Sequence, residues 1–478
     1  MSRLSIFIIL AITLITGGVI IRNNGNVPKQ IAGGNQTIEL REDGFYPQEI
    51  TVKTGSKITF KTTQSEDFWP AGDPHPTHEF LNGFDPGSAL KSDEEWFFVF
   101  EKPGVWRYHD HLNVSNRGTI TVVSGGNDGE IYNPNDEQQF DEKVRTALKD
   151  GGIEAAFAVF TELFQNNRAP ESCHWTSHLI GEEVYERFKN GEDFPVTNAV
   201  SYCGYGFFHG FMEKMLHENP DPQKAIEFCD QIGEKMNPQA RDNCIHGIGH
   251  GFTEEEPPPK EKWGDPEALL HPGLDVCEFL FGKTERKWEI CSTGVYTVIG
   301  SWMKDNEYDL SLDTDDVFAL CRTQPERYWT ACFGEFAPFL DSITGWNPAK
   351  LESHIKGITD ERLKKYVVHV SSGVMMQKDI AKNDWTDYIQ NCRLLPDDLP
   401  YSCIGGVAWG LVIHGPPGKE YEKAFQFCET DILDGEEQNS CYREAVAQLK
   451  RSYEGREKEK NEACEIINPT YKQMLCYN

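Results

Sequence analysis

The fourteen cysteines of this 478-residue chain all lie between Cys173 and Cys476. Twelve of them form successive pairs whose members are 15, 14, 11, 11, 13 and 12 positions apart. In chain order the pairs are Cys229–Cys244, Cys277–Cys291, Cys321–Cys332, Cys392–Cys403, Cys428–Cys441 and Cys464–Cys476, and Cys173 and Cys203 remain as a seventh, wider pair. An even number of cysteines at a repeated spacing indicates a framework of disulfides. Because disulfides persist in oxidising compartments, the sequence predicts a protein that acts outside the cytoplasm.

From residue 137 onward the apolar residues recur at helical spacing and one unit repeats. In each unit a helix carries a cysteine near its end, a short polar turn follows, and a second cysteine opens a helix rich in small residues. The repeat is visible in the segments that begin at Cys203 (CGYGFFHG), Cys244 (CIHGIGHG), Cys291 (CSTGVYTVIG), Cys332 (CFGEFAPFL) and Cys403 (CIGGVAWGLV). Periods of a few tens of residues are typical of helical-hairpin arrays. We predict one local disulfide per hairpin, and the alternative is a bridge from each second cysteine to the next unit.

The first 22 residues contain an apolar run from Leu4 to Ile21, with Arg3 before it and Arg22 after it. A helix of this length spans about 27 Å, just enough to cross the hydrocarbon core of a bilayer. We predict an uncleaved membrane anchor at residues 1–22, and a removed signal peptide is the alternative. Either one places the rest of the chain on the extracytoplasmic side, in the periplasm or outside the cell.

The chain is strongly acidic, with 46 Lys and Arg against 76 Asp and Glu and a formal net charge of −30. Nucleic-acid binding requires a concentrated basic surface, so nucleic acid is excluded as a partner. The same charge disfavours binding of the soluble part to anionic lipid. An acidic surface keeps the protein soluble, and it also attracts metal cations or a basic partner.

Changes in composition divide the chain into five segments. They are the anchor at 1–22, a glycine-rich linker at 23–36, a β domain at 37–123, a second linker at 124–136 and a helical domain at 137–478. In the β segment Ile50, Val52, Ile58 and Phe60 alternate with polar residues, and Gly55 marks a turn. The sequence therefore predicts a multidomain protein in which a membrane anchor precedes a small β domain and an all-α repeat array with local disulfides.

Four histidines of the β segment form two close pairs, His75 and His78 in DPHPTHEF and His109 and His111 in YHDHLN. Residues two apart in a strand face the same way, so His109 and His111 project together. The loop that carries His75 and His78 can bring further imidazoles to them. Three or four imidazoles suit copper or zinc, and copper stands above zinc in the affinity order. The alternative is a purely structural β domain in which the histidines only form hydrogen bonds.

Residues 37–123 resemble a cupredoxin domain. The matching pieces are FYPQEITVKTG from Phe45, then ITF, a histidine loop, FVFEKPGVWRYHDH and the closing RGTITV, and YHDH also resembles the H-x-H of multicopper oxidases. The resemblance implies a Greek-key β-sandwich that binds copper. Since this segment contains no cysteine, a blue copper centre with a thiolate ligand is excluded, and Arg117 falls near the usual methionine position. We therefore expect a type 2-like copper site, with zinc as the less favoured metal, held by His78, His109 and His111, with His75 as a fourth ligand or a neighbour.

A second group of histidines lies in the helical part. His174 and His178 are four apart in CHWTSHLIGEE, His246 and His250 are four apart in CIHGIGHGF, and His209 lies between the two pairs. Histidines four apart share one helix face, so these five residues form a possible second metal cluster. The alternative is that they bond backbone carbonyls where glycine-rich helices pack closely.

Three functional hypotheses follow from these patterns. The leading one is a membrane-anchored, extracytoplasmic copper-binding protein, used for copper handling or electron transfer, with the helical repeats as scaffold. The second is a cell-surface interaction scaffold that binds an envelope protein. The third is a copper-dependent oxidoreductase in which both histidine clusters hold metal. The sequence contains no hydrolase constellation, so the catalytic residues of any enzyme activity are unassigned.

Overall fold

The computed structural model describes residues 36–73, 78, 83–100, 104–123, 137–165, 173–192, 198–201, 205–254, 258–282, 286–380, 384–415, 418–454 and 456–477. The anchor predicted at residues 1–22 and the linker predicted at 124–136 lie outside these ranges, as does all of the first linker except residue 36. Within the ranges given, no helix has both the length and the apolar character needed to cross a membrane.

Eight strands form two four-stranded sheets packed face to face. They are β1 (Gln36–Arg41), β2 (Gly44–Tyr46), β3 (Glu49–Lys53), β4 (Ser56–Thr62), β5 (Pro70–Gly72), β6 (Trp96–Phe100), β7 (Gly104–Asp110) and β8 (Asn113–Val123). One sheet has the order β2-β1-β4-β6 and the other the order β3-β8-β7-β5. The pairs β1–β4 and β3–β8 are parallel, and the other neighbouring strands are antiparallel. Because neighbours are often distant in sequence, the chain crosses between the sheets, and the predicted small β-sandwich is confirmed.

Apolar side chains that alternate along the strands fill the space between the sheets. Ile58 and Phe60 of β4 are fully buried, and so is Tyr108 of β7. The ring centroid of Phe60 lies 5.2 Å from that of Tyr108 and 5.6 Å from that of Phe84. Ring pairs at these distances add stabilisation to the burial of their area. The sandwich therefore has an aromatic core of its own.

The rest of the described chain is helical, as the apolar periodicity predicted. The α-helices are α1 (Glu137–Gln165), α2 (Cys173–Lys189), α3 (Gly206–Glu218), α4 (Pro222–Lys235), α5 (Pro238–Glu254), α6 (Pro266–Phe281), α7 (Arg286–Asp305), α8 (Ala319–Thr323), α9 (Trp329–Phe336), α10 (Phe339–Thr344), α11 (Pro348–Ile355), α12 (Glu361–Val374), α13 (Met376–Asp379), α14 (Thr386–Arg393), α15 (Leu399–Ile413), α16 (Glu420–Cys428), α17 (Gly435–Ser452), α18 (Glu457–Ile466) and α19 (Lys472–Cys476). Short 3-10 helices lie at Asn198–Ser201, Lys260–Lys262, Glu307–Asp309 and Glu326–Tyr328. A left-handed Gly152 (φ 76°) breaks α1.

The helices form one continuous row. α2 packs on α3, and the row continues through α5, α7, α9, α12, α15 and α17. α17 also contacts α5, so the row curves back and leaves a cleft of about 820 Å³. Buried side chains from the whole row, together with Trp69 and Ala71 of the sandwich, form one apolar core. The β-sandwich is therefore packed against the helices through these two residues.

Among the described residues, six disulfides each join two α-helices that are consecutive in the chain. They are Cys229–Cys244, Cys277–Cys291, Cys321–Cys332, Cys392–Cys403, Cys428–Cys441 and Cys464–Cys476, with Cα–Cα separations from 5.4 to 5.8 Å. These are the local pairings that the spacing predicted, so bridges from unit to unit are wrong for these twelve cysteines. Cys203 and the side chain of Cys173 lie outside the described residues, and their bridge stays a prediction.

Glycines of the repeat allow neighbouring helices to meet backbone to backbone. A Cβ atom on Gly249 of α5 would lie 2.1 Å from the carbonyl oxygen of Cys291 on α7. A Cβ atom on Gly294 of α7 would lie 2.1 Å from the carbonyl oxygen of His246 on α5. No side chain fits at that distance, so the packing requires glycine at both positions. The same reciprocal contact joins α2 to α3 through Gly181 and Gly210, and it brings the histidine-bearing helices together.

We expect Gly294→Ala to destabilise the helical part by about 3 kcal/mol or more, because the added methyl group forces α5 and α7 apart in a close-packed core. Gly435→Ala is the matched control, since nothing lies within 4 Å of a Cβ atom placed there. The control should leave stability unchanged or raise it by up to about 1 kcal/mol. Urea unfolding followed by circular dichroism measures both variants. Equal midpoints for the two variants would contradict the account of the glycine repeat.

Candidate metal centre

Three histidines of the sandwich meet at its edge next to the helices. His109 lies near the end of β7, His111 follows that strand, and His78 lies between β5 and β6 with a left-handed backbone (φ 53°). Their exposed fractions are 0%, 1% and 6%. Ring centroids are 5.2 Å apart for His78 and His109, 4.9 Å for His78 and His111, and 5.9 Å for His109 and His111. The structure thus brings three of the four predicted ligands together, and His75 lies outside the described residues.

The ring nitrogens of these histidines are spaced as ligands of one ion. Each ring offers one ligand atom, and these atoms lie within 4.8 Å of one another. Nε2 of His78 is 3.0 Å from Nδ1 of His111. Two nitrogens bound to one copper or zinc ion, each at about 2.0 Å, are about 3 Å apart. Without an ion the same two atoms share a hydrogen bond, so the distance suits both states of the site.

A carboxylate lies beside the other nitrogen of every ring. His78 Nδ1 is hydrogen-bonded to Asp85 Oδ2 at 2.6 Å, and His109 Nδ1 to Asp73 Oδ1 at 2.9 Å. His111 Nε2 is 2.7 Å from Glu307 Oε2, but neither oxygen of Glu307 makes a hydrogen bond within the described residues. Histidines that bind metal commonly donate their second N–H to a carboxylate, which fixes the tautomer and aims the other nitrogen at the ion. The rings of His78 and His109 are therefore oriented in the way that a metal site requires.

Glu307 comes from the helical part of the chain. It lies in the 3-10 turn after α7, and the hydroxyl oxygen of Tyr308 in that turn is 3.1 Å from Nε2 of His111. Asn306, Tyr308 and Asp309 all have left-handed backbones, with φ values of 60°, 49° and 56°. Residues other than glycine adopt this conformation rarely, and it costs free energy that the surrounding structure must supply. The turn therefore stores strain at the place where it presents Glu307 and Tyr308 to the histidines.

Trp69 connects the site to both parts of the molecule. Its indole N–H donates to Asp85 at 2.8 Å and its backbone N–H donates to Asp110 at 2.9 Å. Its ring centroid lies 4.6 Å from that of His111 and 5.9 Å from that of Tyr308. Trp69 is fully buried. Trp69 thus fills the contact between sandwich and helices and supports the carboxylate of Asp85.

Burial sets the protonation of two of the three candidate ligands. It lowers the pKa of His109 to about 3 and the pKa of His111 well below its usual value, so both rings are neutral at pH 7, the form that binds metal. Burial also acts to lower the pKa of His78, but the hydrogen bond with Asp85 and nearby negative charges outweigh it and raise that pKa. Burial raises the pKa of Glu307 to about 8, and a bound cation favours its ionised form.

Opposing effects act on the other two carboxyl groups. Burial alone would raise the pKa of Asp85, but the hydrogen bond and charge of His78 outweigh it and lower the pKa to about 2. Burial of Asp73 is outweighed by the charge of Arg117 and by the hydrogen bond from His109, so its pKa lies below the usual range. Arg117 Nη1 is 3.6 Å from Asp73 Oδ2. Arg117 thus acts on the carboxylate that is hydrogen-bonded to His109.

Sequence reasoning missed four residues of this site. Asp73 and Asp85 flank the histidine loop, and acidic residues on both sides of a histidine pair were a usable signal. Glu307 and Tyr308 carry no such signal, because Tyr308 is 197 positions from His111 and only the packing of helices on the sandwich unites them.

The histidines of the helical part also converge. His209 of α3 and His246 and His250 of α5 offer ligand atoms that lie within 4.8 Å of one another. The ring centroid of His209 lies 4.5 Å from that of His250 and 4.8 Å from that of His246. His178 of α2 is close, with its ring centroid 5.2 Å from that of His209. The side chain of His174 lies outside the described part of the chain.

No protein-family model and no curated protein matches the sequence. Among similar solved structures, the purple cupredoxin from Nitrosopumilus maritimus is 17% identical with a TM-score of 0.17, and the match covers 18% of this chain and 98% of that chain. The oxidised plastocyanin from Dryopteris crassirhizoma is 23% identical with a TM-score of 0.16, again over 18% and 98%. A copper-containing nitrite reductase from Thermus scotoductus SA-01 is 18% identical over 18% of this chain and only 22% of its own, with a TM-score of 0.16. Because these scores are low, the inference of a metal site depends on the geometry of this chain alone.

We expect Glu307→Gln to weaken binding of Cu²⁺ about 10- to 100-fold, because the variant removes the carboxylate whose Oε2 lies 2.7 Å from Nε2 of His111. Asp309→Asn is the matched control, since Asp309 is an exposed acidic residue of the same turn. Titration of each purified protein against a competing copper chelator measures the dissociation constants. If Glu307→Gln and Asp309→Asn both bind like the unaltered protein, the helical part has no role in the site.

Proposed function

We propose that this chain is an extracytoplasmic copper-binding protein whose single copper site is made by His78, His109 and His111. The observation that carries the proposal is the pairing of three buried imidazoles, whose inward nitrogens lie within 4.8 Å of one another, with three outward carboxylates. In this proposal residues 1–22 are the membrane anchor, and the disulfides support an oxidising compartment for the remainder of the chain. The helical array is the scaffold that holds Glu307 and Tyr308 against the site.

The donor set favours copper over zinc and excludes a thiolate centre. No cysteine precedes Cys173 in the sequence, so the described ligands are imidazoles alone. Imidazole suits both metals, and Cu²⁺ binds more tightly than Zn²⁺ to a given set of nitrogen donors. Copper supplies one-electron chemistry at such a site. The protein orients the ring of His78 through Asp85 and the ring of His109 through Asp73.

Burial of the ligands favours a retained ion. His109 and His111 are almost fully buried, and Trp69 and Tyr308 cover the ring of His111. A partner that exchanges copper rapidly needs access to the ligands, and here the helical part covers them. Aromatic rings continue from the site, since the ring of Tyr308 lies 5.4 Å from Trp263 and 4.8 Å from Trp302. These features support storage or electron transfer rather than fast copper delivery.

We expect the purified protein to bind one equivalent of Cu²⁺ at this site and to give a type 2 electron paramagnetic resonance spectrum without a strong thiolate-to-copper absorption band. His109→Ala with His111→Ala should abolish that signal, because two of the three nitrogen donors are lost. His271→Ala is the control, since that side chain is 61% exposed and lies outside both histidine clusters.

A protein that takes up no copper would overturn the proposal, and so would full retention of the signal in the double variant. His111→Gln, which preserves more of the side-chain volume, is a second variant if the double alanine protein unfolds. It should weaken binding and change the hyperfine splitting while circular dichroism stays unchanged. An unchanged spectrum would remove His111 from the ligand set.

A copper-dependent oxidoreductase is the second candidate function. One observation favours it, namely the second convergence of histidines at His209, His246 and His250. This function requires metal at both clusters. Occupancy of the first cluster alone, measured as metal content per chain, would count against it.

A further inference from the structure

The second histidine cluster includes two carboxylates that its sequence pattern did not reveal. Glu213 of α3 and Glu254 at the end of α5 form a group with His250, and their ligand atoms lie within 4.8 Å of one another. His250 is also a member of the group with His209 and His246. The two groups share His250, and together they contain five side chains from two helices.

Neighbouring helices orient this cluster. Nδ1 of His246 lies 2.6 Å from the hydroxyl oxygen of Thr293 on α7, which leaves Nε2 as its ligand atom. Nδ1 of His178 on α2 lies 3.3 Å from Oε2 of Glu213. His178, expected as a ligand from its spacing to His174, is thus a positioning residue for the Glu213 carboxylate. Close crossings at glycine join α2 to α3, α3 to α5 and α5 to α7 around this cluster.

One candidate ligand atom of the cluster, Nε2 of His250, has no hydrogen-bond partner among the described residues. His250 is 4% exposed, and within the described part of the chain its Nε2 makes no hydrogen bond. Its Nδ1 is 3.5 Å from Oε1 of Glu213, longer than a good hydrogen bond. Since nearly all buried polar atoms in proteins are paired, this imidazole points to a ligand bound among the five side chains.

Two carboxyl groups lie together at this place, since the ligand atoms of Glu213 and Glu254 lie within 4.8 Å of one another and of that of His250. Ionised carboxylates at such a separation repel each other, and a divalent cation between them offsets the repulsion.

We propose that His209, His246 and His250, with Glu213 and Glu254, form a second metal site that binds a divalent first-row transition ion of the zinc class. Three imidazoles and one carboxylate match the tetrahedral preference of zinc, and the second carboxylate allows a fifth ligand. Carboxylate oxygen among the donors distinguishes this site from the all-imidazole site of the sandwich. The proposal does not depend on copper at the first site.

One helix connects the two sites. α7 packs on α5, which carries three of the five side chains of the second site, and α7 leads directly to the turn that holds Glu307.

Titration of the whole protein with Co²⁺, a spectroscopic substitute for Zn²⁺, tests this proposal. In a His109→Ala and His111→Ala background, which disables the first site, we expect one equivalent of Co²⁺ to bind with visible d–d bands. Adding His250→Ala should abolish the bands, and adding His271→Ala should leave them unchanged. Absence of the bands in a folded background protein would overturn the proposal, and so would their persistence after His250→Ala.

A second measurement distinguishes loss of the metal site from misfolding of these variants. In the otherwise unaltered protein, Glu254→Gln should weaken Zn²⁺ binding about tenfold or more while the copper signal of the first site remains. Unchanged zinc affinity in this variant would remove Glu254 from the site. Failure of copper binding with intact cobalt bands would overturn only the proposed function, so the two proposals fail separately.

Discussion

The contact between the imidazole of His111 and the carboxyl of Glu307 joins the two halves of this molecule at its most constrained point. Both side chains are fully buried, and their atoms lie 2.7 Å apart. A buried carboxyl without a hydrogen bond is costly, and neither oxygen of Glu307 has one within the described residues. A cation bound by His111 would offset that cost, so the candidate metal site and the docking of the sandwich are linked.

The helical array brings polar side chains from distant segments of the chain into one small volume. Helices that meet at glycine approach to backbone contact, as Gly249 and Gly294 show for α5 and α7. Local disulfides fix each hairpin, and in the chain-entropy model each loop of this size contributes roughly 3 kcal/mol. A rigid row of helices is what allows a single strained turn after α7 to hold Glu307 in place.

Much of this architecture could be predicted from the sequence, because its signals are local. Cysteine spacing gave six of the bridges, since two helices joined by a tight turn bring residues of that separation together. The alternation at Ile58 and Phe60 and the pair His109 and His111 located the sandwich and two ligands. The sequence did not reveal the roles of Trp69, Glu213, Glu254 and Glu307. These roles arise from packing between segments far apart in the chain, which a local sequence pattern cannot predict.

X-ray absorption spectroscopy of the copper-loaded protein tests the central claim most directly, because it reports the atoms bound to copper. The account predicts nitrogen neighbours at about 2.0 Å, the multiple-scattering pattern of about three imidazoles, and no sulfur neighbour. A copper–sulfur distance, or a first shell of oxygen without the imidazole pattern, would contradict it.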